Sequence, residues 1–270
     1  MTASKFILGL IGLSAALSII MAMAWLVWRG SRNSGWVDTI WTFGLGCVGL
    51  VGAVTTWPMH LHAYLVAAMA AIWSLRLGSH IARRTRGITD DPRYAKLIRE
   101  WGAEASPRMF WLLQKQAIVS IPLALSMWLA ANAPASMPLP QTAIAILISV
   151  VAIAGEAIAD EQLRRFRQVT ADKAKVCDAG LWRWSRHPNY FFEWLGWLAY
   201  PVLAIDLAGN NPWGYFALGA PLCMYWLLVH VSGIPPLEEH MLAARGEAFR
   251  RYQMSTNVFF PGPPKAPAGG

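Results

Sequence analysis

Apolar residues in this chain collect into long runs separated by short polar segments. Seven runs approach the roughly 20 residues that a helix needs to cross a hydrocarbon core of about 30 Å. They extend approximately from Phe6 to Trp28, Val37 to Trp57, Leu61 to Ile81, Phe110 to Ala131, Ile144 to Ala159, Phe191 to Leu207 and Trp213 to Val231. The fifth is short and stops where charge begins. The first carries Ser14 and Ser18, but it is too long for a cleavable leader, and arginine follows it without a small-residue cleavage site, so it is read as a span. After the seventh run two prolines open "PPLEEHMLAARGEAFRRYQ", predicted to be an amphipathic helix from roughly Leu237 to Tyr252. Such a helix either lies on the membrane surface or folds back to close the cytoplasmic mouth of a bundle.

Composition supports the same solvent. Hydrophobic residues make up 56% and charged ones 14%, too little polar surface to cover a globule of this length in water. Lys and Arg then test the topology, because they accumulate in cytoplasmic loops. All of the 23 basic residues except Lys5, Arg76 and Lys115 fall after spans one, three, five and seven. The alternate loops, Pro58 to His60, Asn132 to Gln141 and Ala208 to Pro212, carry none. The expectation is an all-α integral membrane protein of seven transmembrane helices, N-terminus outside and C-terminus cytoplasmic, forming one domain over residues 1–262. The tail "PPKAPAGG", 263–270, is expected to be disordered. A net charge of +8 needs no nucleic acid: basic loops beside acidic lipid account for it, as does an anionic cofactor on the cytoplasmic side.

Ionisable residues inside spans cost several kcal/mol unless paired or wetted, which makes them functional candidates. Asp38, in "NSGWVDTIWTFG", stands between Trp36 and Trp41 at the start of span two. Its plain reading is an acid near a helix N-terminus, with interfacial tryptophans beside it. Trp73 and Arg76 share one face of span three, and a pair between Arg76 and Asp38 would satisfy both charges; snorkelling to the interface is the alternative for Arg76. In "GEAIADEQLRRFR" the spacings put Glu156, Asp160, Arg164 and Arg167 on one stripe, either the wall of a polar cavity or a solvated helix end.

The densest polar block is "GLWRWSRHPNYFFEWLGW", Gly180 to Trp197. Gly180 closes a turn and Pro188 opens span six. A helix N-terminus attracts anions, so Arg186, His187 and the first free N–H groups are candidates to hold a phosphate. Asn189 and Glu193 are four apart, an amide and a carboxylate suited to a carboxamide or ribose, and Tyr190 with Trp194 offers an aromatic face. On the amphipathic helix Glu239, Met241 and Arg245 are available to the same side. No G-x-G-x-x-G follows a strand, and no Walker-type loop or H-E-x-x-H is present. Cys47, Cys177 and Cys223 show no zinc or disulfide spacing, so no metal is expected.

"ADEQLRRFR", the "RHPNY" block, "EEHMLAARGEAFRRY" and "FFPG" together resemble the membrane-embedded steroid 5α-reductase family in its bacterial branch. The resemblance covers Val150 to Pro261, and sterol reductases and isoprenylcysteine carboxyl methyltransferases share the "RHPNY" block. It implies a seven-helix reductase, in a bacterial inner membrane, that uses NADPH from the cytoplasm to reduce the 4,5 double bond of a 3-oxo-Δ4 steroid or similar enone lipid. It implies that Asp160, Arg167, Asn189 and Glu193 hold the nucleotide; Arg164, Arg186, His187 and Tyr190 lie in the same motifs. Where the family has an arginine and a tyrosine on the cofactor-facing helix, this chain aligns Gly233 and Met241, with Glu239 and Arg245 as substitutes. On the substrate side the family's Gln-Glu pair and tyrosine fall at Val37 with Asp38, and at Trp73.

The chemistry expected from this is hydride transfer to C5 while a donor near Asp38 and Trp73 polarises the C3 oxygen, with Trp36, Trp41 and Arg76 around the substrate. The rival is methyl transfer from S-adenosylmethionine, against which the basic stripe argues: arginines suit a phosphate-bearing nucleotide better than a sulfonium.

Overall fold

The computed structural model describes residues 1–56, 59–87, 90–134, 138–170, 172 and 174–265. Among them every regular element is helical. Six helical runs are long and apolar enough to cross a membrane, so the chain is a multi-pass membrane protein by length and composition. They are α1 (Ala3–Ser31), α2 (Gly35–Val54), α3 (Leu61–Arg86), the run Arg93–Ala131, α6 (Leu139–Val169) and the run Pro212–Ser255. The run Arg93–Ala131 joins α4 (Pro92–Trp101) to α5 (Ala105–Ala131) through a single 3-10 turn.

The segment expected to be span six is two short helices, α7 (Pro188–Trp197) and α8 (Ala199–Ala204). Pro201 explains the break. A proline has no N–H for the carbonyl four residues back and clashes with it, which kinks or breaks a helix, and here a new helix starts just before Pro201. At the junction the Leu198 amide donates to Leu195 O at 3.1 Å, a tightened turn.

The chain divides into two compact units. The first comprises Met1–Ala143 and Tyr200–Ala220, the second Ile144–Ala199 and Pro221–Gly270. In the first, α2 lies antiparallel to α3: Thr85 Oγ1 donates to Gly35 O at 3.0 Å, while Gly46 faces Ser74. A Cβ on Gly46 would stand 2.2 Å from Ser74 Cβ, and one on Gly78 2.7 Å from Phe43 Cζ. Lipid provides no hydrophobic drive between helices, so close backbone approach at small residues supplies the packing instead. Gly46→Val is therefore expected to lower stability by about 1–3 kcal/mol. Gly12→Val is the control, because a Cβ at Gly12 meets nothing within 4 Å. Thermal unfolding of both variants in detergent checks the contrast, and equal midpoints would remove close packing at Gly46 from the account. Ile7, Leu8, Ile11 and Ile19 on α1 are exposed, a face suited to lipid.

In the second unit α6 and α7 pack closely, with Gly155 leaving room for the Phe192 ring. The turn before α7 is a 3-10 segment, Gly180–Arg183, entered by Gly180 at φ +60°. That left-handed backbone favours glycine. A helical segment, Gly219–Trp226 (α9), continues through a π turn, Leu227–Val231, towards α10 (Ile234–Ser255). The amphipathic helix predicted from Leu237 to Tyr252 is thus longer, and it kinks at Gly246 (φ 51°, ψ −121°). Pro263 to Lys265 of the expected disordered tail keep fixed contacts, Lys265 N donating to Ser255 O at 2.8 Å and Asn257 Nδ2 to Pro263 O at 3.4 Å. The last five residues lie outside the described ones.

Candidate functional site

Among the described residues each unit carries a dense polar cluster. In the second unit it is built on the start of α7, where Pro188 occupies the first helical position and His187 the cap, as the sequence predicts. Asn189 Nδ2 reaches Asp160 Oδ1 on α6 at 3.5 Å, and its Oδ1 accepts from the Tyr190 amide at 3.1 Å. Glu193, one turn on, accepts from Trp197 Nε1 at 2.9 Å. Tyr190 stacks on His187 with ring centroids 5.5 Å apart and planes 14° from parallel. Glu156 is buried one turn before Asp160. The structure therefore brings Asp160, Asn189 and Tyr190 together and places Glu156 and Glu193 one helical turn away on the same two helices.

Arg186 and His187, expected to hold a phosphate, are occupied by the protein itself. Arg186 Nε donates to Glu238 Oε1 at 2.7 Å, and its Nη1 donates to Gln253 O at 3.1 Å and Thr256 O at 2.7 Å. His187 Nε2 lies 2.9 Å from the same Glu238 oxygen, and Gln253 Nε2 donates to Oε2 at 2.7 Å. Burial pushes the His187 imidazole below its ordinary pKa even though Glu238 pulls the other way. The ring is then neutral at pH 7, with Nε2 carrying the proton that the carboxylate accepts. Ser185 Oγ donates to Phe259 O at 2.8 Å and accepts the His187 amide at 3.1 Å, while Arg186 N donates to Asn257 O at 2.8 Å. The "RHP" turn is latched to α10 and the segment after it.

Of the adjacent glutamates, Glu238 reaches this latch and Glu239 is exposed, because neighbouring residues on a helix point about 100° apart. Gly233, aligned with a family arginine, has no room for a side chain: a Cβ there would stand 2.4 Å from Leu228 O. Arg164 is exposed and donates to Glu161 at 2.6 and 2.7 Å, so it joins a solvated helix-end bridge rather than the stripe of Glu156 and Asp160. Arg167 and Arg245 behave differently. They come within reach of each other's charge beside Cys177, and Arg245 donates to Lys175 O. Burial raises the Cys177 thiol above its usual pKa against the lowering pull of both arginines, keeping it protonated at neutral pH.

In the first unit the centre is Asp38. Its carboxylate is met by Arg93 and, at 3.2 Å, by the Tyr94 hydroxyl, which accepts from Gln116 Nε2 at 2.8 Å. Arg93 also donates to Asp91 Oδ1 and Oδ2 at 3.0 and 2.9 Å. Asp91 caps α4 through the Arg93 amide at 3.0 Å. Burial alone would raise the Asp91 carboxyl, but the hydrogen bonds and charge of Arg93 hold it below its ordinary range. Trp41 donates to Ser120 Oγ at 2.7 Å and meets Trp73 edge to face, centroids 6.3 Å apart. Arg76 is half-buried one turn along α3 from Trp73. Trp36 parts from this group and lines a groove on another face of α2.

Sequence reasoning missed Arg93, Tyr94 and Gln116. The signal was present in "DDPRYAKLIREW", an N-cap aspartate and a proline before a helical pattern, hidden inside a loop read only for its positive charge.

Two polar clusters among apolar, membrane-length helices define an integral membrane protein with buried acid, amide and guanidinium groups. More particularly, the chain belongs to the family described as "Protein of unknown function (DUF1295)", whose model matches residues 24–256. No curated protein and no solved structure matches it.

Proposed function

We propose that this chain is an NADPH-dependent reductase of a conjugated carbonyl lipid, such as a 3-oxo-Δ4 steroid, set in the membrane with seven crossings, its N-terminus outside and the nucleotide taken from the cytoplasm. The observation that carries the reading is the polar cluster on α6 and α7, where Asn189 Nδ2 stands 3.5 Å from Asp160 Oδ1, with Arg167 and Arg245 in one another's field nearby in the same unit. Like charges held together are relieved by an anion, and a phosphate is the anion that arginine matches best. Asn189 and Asp160 supply an amide and a carboxylate for a ribose or carboxamide, and Glu193 a further acceptor one turn on.

NADPH supplies the hydride when bound. To serve an enone, the Tyr94 hydroxyl would turn its proton from Asp38 to the carbonyl oxygen, with Gln116 still donating to the phenolic oxygen and Arg93 balancing the Asp38 carboxylate. The reduction would balance with hydride from the nucleotide at the β carbon and a proton from water at the α carbon, the carbonyl oxygen carrying the enolate charge between the two. In this reading Tyr94, beside Asp38, is the donor in place of the Trp73 indole N–H.

Anaerobic mixing of the detergent-purified protein with NADPH and a 3-oxo-Δ4 steroid tests this, with absorbance at 340 nm and product mass as readouts. Steroid-dependent NADPH loss and a product heavier by two hydrogens, both lost in Asn189→Ala and Glu193→Ala, are expected. Binding of S-adenosylmethionine without binding of NADPH would transfer the cluster to methyl-transfer chemistry. A second prediction separates the arginines from the rest. Arg167→Ala/Arg245→Ala is expected to weaken NADPH binding by roughly a hundredfold or more, since each charge-assisted hydrogen bond contributes about 1.5–3 kcal/mol. NADH affinity, without the 2′-phosphate, stays nearly level. Equal losses for both nucleotides in a binding titration would remove the two arginines from 2′-phosphate recognition.

A further inference from the structure

A groove of about 640 Å³ lies in the first unit against α1, α2 and α3, apart from both polar clusters. Pockets that enclose small ligands run from about 300 to 1,000 Å³. One wall is the α2 stripe Trp36, Ile40, Phe43 and Cys47, at helical spacings of four, three and four. Ile20 and Met23 of α1 form another. Apart from Arg83 and Arg86, in the last turn of α3, the lining has no ionisable side chain but the Cys47 thiol. Because α2 and α3 are antiparallel, those arginines stand at the Trp36 end and Cys47 at the apolar end.

The dimensions indicate the occupant. Trp36 and Cys47 are eleven positions apart, about 16 Å of helix at 1.5 Å per residue, and one leaflet of a hydrocarbon core of about 30 Å is about 15 Å deep. The groove is as long as one leaflet is thick, with its two guanidiniums where headgroups lie. We propose that it is a binding site for an acidic membrane phospholipid, its phosphate-bearing head on Arg83 and Arg86 and one acyl chain along the α2 stripe. The site is a place of its own and does not rest on the proposed reductase activity. Arginine pairs with phosphate through two parallel N–H donors, which favours it for this head over a zwitterionic one whose own ammonium competes.

Native mass spectrometry of the full chain, titrated in detergent with phosphatidylglycerol or phosphatidylcholine of matched chains, tests the proposal. Wild type is expected to retain phosphatidylglycerol in preference. Arg83→Ala/Arg86→Ala should lose that preference by roughly 30-fold, from the attraction of each basic residue for an acidic surface. Cys47→Trp keeps both arginines but fills the apolar end, so it should lose the retained lipid as well. Arg99→Ala, on α4 and outside the groove, should behave as wild type. The proposal is overturned if wild type holds both lipids equally, if Cys47→Trp retains phosphatidylglycerol undiminished, or if Arg99→Ala loses as much as the double variant. The last two results would assign the effect to general attraction by basic loops.

Discussion

Glu238→Ala is expected to cost about 3–5 kcal/mol of stability, because it leaves the buried Arg186 guanidinium without its carboxylate. The Arg186 side chain is 10% exposed and that of Glu238 14%, so water cannot replace the lost partner. The same carboxylate receives His187 and Gln253, which means one substitution strips acceptors from three side chains. For a chain of this size the loss corresponds to a fall in melting midpoint on the order of 10 °C. Thermal unfolding in detergent measures it, with Glu239→Ala as the control: that neighbour is exposed and should move stability by no more than about 0.5 kcal/mol. Arg186→Met/Glu238→Leu removes both charges together and should recover part of the loss, since an apolar pair of similar volume avoids the unpaired charge. Glu238→Ala and Glu239→Ala melting together would show that the latch does not hold the second unit.

The latch also shows which links were legible in the sequence. The start of α7 was readable because its signals are local: a glycine turn at Gly180, a proline at 188 and helical spacing from Asn189 to Glu193. The same holds for α1, α2 and α3, whose apolar runs mark where they lie. What a helical period cannot say is which distant residue faces a given side chain. Arg186 reads as a free cation until Glu238, 52 positions away, closes on it. The choice between Glu238 and Glu239 depends on how α10 is turned about its own axis, which the pattern of a weakly amphipathic helix leaves open. The break at Leu198 had its cause in view at Pro201, but hydropathy averages over a proline and reads one span. Asp38 was found because an acid in an apolar run is conspicuous. Arg93 and Tyr94 were not, because a short charged helix carries no apolar run to mark it.

Tyr94→Phe is the test on which the substrate side turns. In the structure its hydroxyl stands between an acceptor, Asp38, and a donor, Gln116, so its proton is directed and its oxygen is held. Gln116 holds the phenolic oxygen, so the hydroxyl needs only to turn its proton from Asp38 to an enone oxygen that gains electron density, and removing one such donor typically lowers turnover by about 10²–10³. Tyr94→Phe is therefore expected to reduce kcat by that factor and to leave NADPH affinity unchanged, because Tyr94 belongs to the first unit and Arg167, Asn189 and Arg245 to the second. Gln116→Ala should give a smaller loss, since it frees the hydroxyl without deleting it. A purely structural role predicts another pattern: Tyr94→Phe would lower the melting midpoint by the worth of its hydrogen bonds, about 0.5–3 kcal/mol, while the surviving folded protein turned over normally. Trp73→Phe completes the comparison. Its indole N–H is the competing donor, so loss of kcat there with wild-type turnover in Tyr94→Phe would return the proton to α3 and leave the Asp38, Arg93 and Tyr94 group as the clasp that holds α4 to the start of α2.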